Sequence, residues 1–151
     1  MKAVIFIKKG KRLKLIITLS VVAVLLGILI CQGFLIPHSM QQQFGIEPNK
    51  VDCVDLFDGT YGTHHKMSDQ KEIQNFLRMF DGITVWKSFD QQQYTGVIFD
   101  VSLYSKGKLM SSFTFGYNRM LYGNPGVRYI SSKTFESDEM IRIRKTYQLE
   151  R

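Results

Sequence analysis

The chain has 151 residues, of which 44% are hydrophobic, and a formal net charge of +7 at pH 7. Its length suits one domain, and six of its basic residues lie in the first 36 positions, which contain no Asp or Glu. The remaining 115 residues carry 14 basic and 13 acidic side chains. Because this part lacks the basic surface that nucleic-acid binding requires, we expect no nucleic-acid partner.

An apolar segment over residues 15–36 has the length of a membrane-spanning helix. Its 22 residues carry no charge, and at about 1.5 Å per residue they would cross a hydrocarbon core of about 30 Å. Basic residues over 8–14 precede the segment, and basic flanks favour the cytoplasmic side of a membrane. The sequence therefore predicts a cytoplasmic tail over residues 1–14, a transmembrane helix over 15–36 and an extracytoplasmic remainder in a cell membrane.

Two other fates of this segment stay open. A cleavable signal peptide also has a basic start and an apolar middle, and Cys31-Gln32-Gly33 loosely fits a cleavage site, which would give a secreted protein. The second alternative is a lipid attached to Cys31, although Ile30 occupies the position where a lipobox has a small residue. The second cysteine, Cys53, lies in a strand-like run and is predicted to be a small buried apolar side chain.

Residues 37–50 are predicted to be a stalk, because they are polar, contain Gly and Pro, and show no sustained period. The predicted domain covers residues 51–151. It begins with a hairpin made of a strand over Val51–Phe57, a turn at Asp58-Gly59 and a return strand over Thr60–Met67.

An amphipathic helix follows this hairpin. Asp69 or Ser68 is its predicted N-cap, and Glu72 stands three residues after Asp69, as in a capping box. Gly82 suits the left-handed residue that ends a helix. Four apolar residues at helical spacing would cover a sheet: Ile73, Phe76, Leu77 and Phe80.

Alternating apolar and polar residues predict the remaining strands. The first group expected on one face is Val97, Phe99, Val101 and Leu103, and the second is Leu109, Phe113, Phe115 and Tyr117. The predicted strands are 83–89, 97–103, 108–117 and 127–135, with turns at Lys106-Gly107 and over 123–126.

A last helix is predicted from the N-cap Ser137, with Met140, Ile143 and Tyr147 on one side. Alternation over Ile141–Arg144 makes a strand the competing interpretation. Since consecutive strands joined by short turns pair antiparallel, we expect an α+β fold. In this fold an N-terminal transmembrane helix precedes a small antiparallel sheet of four to six strands, packed by one or two helices.

Metal and acidic sites are weakly indicated. His64 and His65 are the weak candidates for metal ligands, but adjacent residues of a strand point to opposite faces. Asp52, Asp55 and Asp58 lack the spacing of a calcium loop, and we expect ordinary surface charge.

Catalytic signatures are missing from the sequence. It contains no framed nucleophile and no glycine-rich phosphate loop, so we expect a protein that is not an enzyme and needs no cofactor or metal. Asp100 is expected on the solvated side of its strand, opposite Phe99.

Aromatic residues are abundant after residue 50, with 16 among the last 101 residues. Most of them are expected to build the core. Trp86, Tyr104 and Met110 are expected on the opposite face of their strands, and they form the candidate binding face, since exposed aromatic side chains favour recognition. The alternative is that a final helix or the bilayer covers this face.

The function expected from these features is a non-enzymatic binding or sensing module at the outer membrane surface. Its partner would be another envelope protein or a cell-wall polymer. One alternative is an accessory subunit that acts through its transmembrane helix, where Ser20, Ala23 and Gly27 permit close helix packing. Another is a metal-binding envelope protein that uses His64 and His65. The overall plan is similar to that of many small anchored exterior proteins of Gram-positive bacteria, and no motif assigns a family.

Overall fold

The structure is a computed structural model that describes residues 13–28, 36–92, 99–123 and 126–149, and it divides into two units after Ile36. In the first unit the described residues 13–28 form helix α1. The hydroxyls of Thr18 and Ser20 donate to backbone carbonyls one turn earlier, at 3.0 and 2.9 Å. Such bonds satisfy polar side chains within the helix itself.

The predicted transmembrane helix lies only partly within these ranges. Residues 29–35 of the predicted span, including the Cys31-Gln32-Gly33 segment, lie outside the described residues. No helix in the described ranges combines the length and the apolar character that crossing a membrane requires.

The second unit contains an antiparallel sheet, which confirms the predicted α+β class. Its described part has eight strands in the order β1-β4-β8-β7-β6-β5-β2-β3. The strands are β1 His38–Ser39, β2 Cys53–Asp58, β3 Thr63–Met67, β4 Thr84–Lys87, β5 Phe99–Ser105, β6 Lys108–Phe115, β7 Asn118–Gly123 and β8 Val127–Phe135. The helices are α2 Met40–Gln43, α3 Gln70–Arg78 and α4 Ser137–Thr146. The predicted four to six strands were too few, because β1 and β7 were missed.

The predicted stalk folds as part of this unit. Met40 is fully buried, and Phe44 and Ile46 join the same core. The Met40 N–H donates to the Ile83 carbonyl at 2.8 Å, and β1 pairs with β4. The second unit accordingly begins at Pro37 and not at residue 51.

One face of the sheet, the core face, is covered by α3 and α4. The amphipathic helix predicted after Asp69 is confirmed: the Asp69 carboxylate accepts from the Glu72 N–H at 2.9 Å, and the apolar residues of α3 are buried. Phe80 follows α3 and lies at the centre of an aromatic cluster. Its ring contacts those of Phe76, Phe113, Phe115 and Phe135, with centroids 5.3 to 6.3 Å apart. The other face of the sheet is called the outer face below.

A β-bulge in β6 changes which side chains face the core. Lys106 and Gly107 form the predicted turn with positive φ values of 50° and 72°, which a tight hairpin requires. Leu103 then pairs with Ser111 and Tyr104 with Leu109, so Met110 is an extra residue. Phe113 and Phe115 are buried as predicted, but Leu109 is turned to the outer face and is 53% exposed. The predicted shared face of Leu109 and Phe113 was therefore wrong.

Helix α4 is confirmed and its strand alternative is wrong. The helix covers Ser137–Thr146, and Met140, Ile143 and Tyr147 are buried as predicted. Glu136, not Ser137, is the N-cap, and its side chain makes no capping hydrogen bond. Val97, which was expected to share a face with Phe99, lies outside the described residues.

Candidate functional site

The three residues of the candidate binding face do not form one patch. Trp86 and Tyr104 both lie on the outer face, half-buried, but their strands β4 and β5 are four strand positions apart. At about 4.8 Å per strand this separates them by roughly 19 Å. Met110 packs against the core instead, since it is the extra residue of the bulge. A binding site on the outer face would therefore lie on the strands between Trp86 and Tyr104.

A cleft lined by hydroxyl groups lies on this part of the outer face. Its volume is about 350 Å³, and we call it the hydroxyl cleft. The antiparallel register builds it, because Ser102 pairs with Ser112, Asp100 with Thr114, and Thr114 with Tyr122. The Thr114 hydroxyl donates to the Asp100 carboxylate. Asp100 is half-exposed and faces away from Phe99, as the alternation predicts.

A second cleft of about 340 Å³ opens where the bulge distorts β6, and we call it the bulge cleft. Phe44, Leu109 and Met110 give it apolar walls. The Gln43 amide donates to the Tyr129 hydroxyl at 3.0 Å, which fixes one polar group in the wall. Burial raises the pKa of Tyr129, and the Gln43 hydrogen bond opposes this only partly, so the phenol stays protonated at neutral pH.

The two clefts adjoin at Ser112 and Gly123, which line both of them. They open on opposite sides of the sheet, because Asp100, Thr114 and Tyr122 point to the outer face, whereas Phe44, Met110 and Tyr129 lie on the core-face side. The two clefts flank β6 between Leu109 and Thr114 and are together called the β6 groove below. Gly123 leaves little space at this point: an added Cβ would lie 3.0 Å from Phe44 Cε1 and 3.2 Å from Tyr129 Cε2, so these rings would have to shift.

Replacing Gly123 by Ala is expected to lower the free energy of unfolding by about 1–3 kcal/mol, because both rings that the new methyl group meets are packed against the core. Urea denaturation measures the change. Gly62→Ala is not a matched control, since Gly62 has a positive φ. Lys108→Ala, at an exposed position of β6, serves as the control and should change the free energy of unfolding by less than about 0.5 kcal/mol. If Gly123→Ala and the unaltered protein are equally stable, the junction can accommodate a Cβ at position 123 without strain.

His64 and His65 are not brought together. The first pairs with Phe57 and the second with Leu56, so they face opposite sides of the sheet as the alternation predicts. His64 Nδ1 lies 3.1 Å from Asp55, and His65 Nε2 lies 2.8 Å from Glu72. Across the described ranges, no cluster of three or more His, Cys, Asp or Glu side chains is arranged to hold a metal ion.

The sequence reasoning missed a buried ion pair. Asp58, which was expected to be surface charge, is fully buried, and Arg144 Nε donates to its carboxylate at 2.6 Å. The Thr60 N–H donates to the other carboxylate oxygen at 2.7 Å, and Arg144 Nη2 donates to the Thr60 hydroxyl at 2.9 Å. This network ties α4 to the β2–β3 hairpin. The sequence contained one indication of this ion pair, since Arg144 stands four residues after Met140 on the apolar side of α4.

Electrostatics favour the charged form of Arg144. Burial lowers the pKa of Arg144, but the hydrogen bonds and charge of Asp58, with a contribution from Tyr117, outweigh it and raise the pKa above its ordinary value. The guanidinium also lies over the rings of Tyr61 and Phe99, 5.2 and 5.5 Å from their centroids. The pair is inaccessible, so its role is structural.

Cys53 lies on the outer face, paired with Tyr104 of the neighbouring strand, and is half-buried, whereas the sequence predicted a buried side chain.

Comparison of the chain with protein-family models, curated proteins and solved structures found no match. The function is therefore proposed from the geometry of the groove.

Proposed function

We propose that this protein is a membrane-anchored binding module whose second unit lies outside the cytoplasm and holds a partner in the β6 groove. The anchor is the predicted transmembrane helix over residues 15–36, with the basic tail in the cytoplasm. The observation that carries the proposal is the groove itself: two adjoining clefts along β6, one with apolar walls beside the core and one lined by polar groups on the sheet face that α3 and α4 leave uncovered. Such a combination is typical of binding sites.

A binding role without catalysis is supported by the chemistry of the groove. Among its described lining residues Asp100 is the one carboxylate, and neither His, Cys nor Lys occurs. The Ser111 hydroxyl donates to the Phe44 carbonyl, and the Thr114 hydroxyl donates to the Asp100 carboxylate. Activation of a hydroxyl nucleophile commonly uses a His or amine base, which the described lining residues do not supply. The groove supplies shape and hydrogen bonds instead, which suit a protein or an envelope polymer.

A photo-crosslinking side chain placed at Ser112 tests this function in cells that carry the protein. We expect an adduct that the same side chain at Lys145 does not give, since Lys145 is exposed on α4, away from the groove. Adding Ser102→Tyr, which fills the hydroxyl cleft from a half-exposed position of β5, should remove the adduct while the protein remains in the membrane fraction. Identical adducts from both positions, or none from Ser112, would refute the groove as the site.

The proposed topology has its own test. In a chain with both cysteines replaced by Ser, Lys145→Cys should react with a membrane-impermeant maleimide in intact cells, and Lys9→Cys should react only after lysis. Labelling of Lys9→Cys in intact cells would overturn the orientation. Labelled protein that is found only in the medium would instead establish the cleaved, secreted form.

A further inference from the structure

Strand β6 has an incomplete set of backbone partners. It pairs with β5 from Lys108 to Phe115, but its pairing with β7 covers only Phe113–Phe115. Within the described residues, 109–112 of β6 have no ladder partner on the β7 side, and this edge lines the bulge cleft. An exposed strand edge is a template on which another extended chain can pair.

The two sides of this edge differ in chemistry. On the core side, Phe44, Met110 and Tyr129 form an apolar wall. On the outer side, Asp100 is the one charged side chain among the described lining residues. Its carboxylate leans over β6, because it accepts the hydroxyl of Thr114 on that strand. One hydrogen bond leaves most of the acceptor capacity of a carboxylate unused.

Basic side chains nearby are held by other acids. Arg128 lies one strand beyond Tyr122 in the same row of the outer face, and it is bound by Asp90 at 2.6 Å. On the opposite side, His64 lies against Asp55. Within the described ranges no ion pair joins Asp100 to a base. The groove therefore presents a negative charge that an incoming cation can match.

Resting on the proposed function, we propose that the partner enters the groove as an extended peptide that pairs with residues 109–112 of β6. One apolar side chain of the peptide fills the bulge cleft, and the next residue along is a Lys or Arg that reaches Asp100. The adjacent positions follow from strand geometry, because successive side chains point to opposite faces. Asp100 is in register with Thr114, two residues or roughly 6.7 Å along the strand from Ser112, and it lies two strand spacings, roughly 9.6 Å, from the paired peptide. A long side chain such as that of Lys or Arg is therefore needed to bridge this diagonal to the carboxylate.

The probe for this proposal is a fluorescein-labelled peptide, Thr-Val-Thr-Leu-Lys-Thr-Val-Thr, titrated with the full chain in detergent micelles and followed by anisotropy. A version with Gln in place of Lys should bind roughly fivefold more weakly, the range of a partly exposed ion pair. Asp100→Asn should weaken the Lys peptide by the same factor and leave the Gln peptide unchanged. Asp55→Asn, at another half-exposed outer-face position, should change neither.

A backbone control separates strand pairing from charge attraction. Methylation of the peptide nitrogens on the pairing edge should weaken binding at least about tenfold, since it removes donors and adds a clash. Each of three results overturns the inference. The Lys peptide does not bind, the Lys and Gln peptides bind equally well, or the methylated peptide binds as well as the unmethylated one. If the Ser112 adduct forms in cells while the peptide result is negative, the groove is still a binding site and its partner is of another class. If the adduct is also absent, the proposed function fails with it.

Discussion

Replacing Arg144 by Met is expected to lower the free energy of unfolding by about 3–5 kcal/mol, because it leaves the Asp58 carboxylate buried without its counter-charge. Asp58 is fully buried and the Arg144 side chain is 7% exposed, so water cannot take the place of the guanidinium. The loss is a large part of the stability of a domain of this size. Urea denaturation followed by circular dichroism measures it.

Arg142→Met is the matched control for this variant, since Arg142 lies on the same helix with a side chain that is 72% exposed. We expect its effect to stay below about 0.5 kcal/mol. The double variant Asp58→Leu with Arg144→Met should be less destabilised than the sum of the two single variants, because it removes both buried charges together. Arg144→Met with unchanged stability would contradict the structural role of the pair.

Phe80→Ala is expected to cost about 3–5 kcal/mol, the other large effect. Phe80 is 1% exposed and its ring contacts four other aromatic rings that belong to α3, β6 and β8. Truncation therefore opens a cavity between a helix and the sheet at the centre of the core. Thermal and urea unfolding of the variant test this.

Ile141→Ala serves as the control for Phe80→Ala, since Ile141 is an aliphatic residue that is 41% exposed on α4. It should lose less than about 1 kcal/mol, as only part of its surface leaves water on folding. If Phe80→Ala destabilises the protein no more than Ile141→Ala does, the aromatic cluster is not the centre of the core.

Patterns that involve one element at a time were predictable from the sequence. The cap at Asp69, the turn at Lys106-Gly107 and the alternation from Phe99 to Leu103 each depend on neighbouring residues, and all three are found. The buried side of α4 follows from the same local periodicity.

Features that depend on tertiary contacts were not predictable in this way. The alternation from Leu109 to Phe115 is interrupted, since Leu109-Met110 are both apolar and Ser111-Ser112 are both polar, but this interruption does not identify a bulge without the partner strand. Met40 and Phe44 stand among glutamines, and only contact with the core makes their segment ordered. Both features shape the bulge cleft, which opens on the core-face side, so the outer face indicated by the sequence did not include it.

The proposed partner, an extended peptide, is consistent with the bulge in β6 and with the end of β7. The bulge and the end of β7 expose an edge of β6, and Gly123 leaves room beside it. Had β7 continued alongside residues 109–112, its own backbone would fill this edge. A strand edge that is enclosed by a groove is protected from indiscriminate pairing, which an open edge would invite.

The central claim is that the β6 groove faces the exterior and is occupied in the cell. It is tested most directly by the rate at which a membrane-impermeant maleimide labels Ser112→Cys in intact cells and in purified protein, in a chain without other cysteines. Relative to Lys145→Cys, we expect Ser112→Cys to react at least about fivefold more slowly in cells than after purification, because a bound partner shields the groove. Equal relative rates in the two settings would contradict the claim.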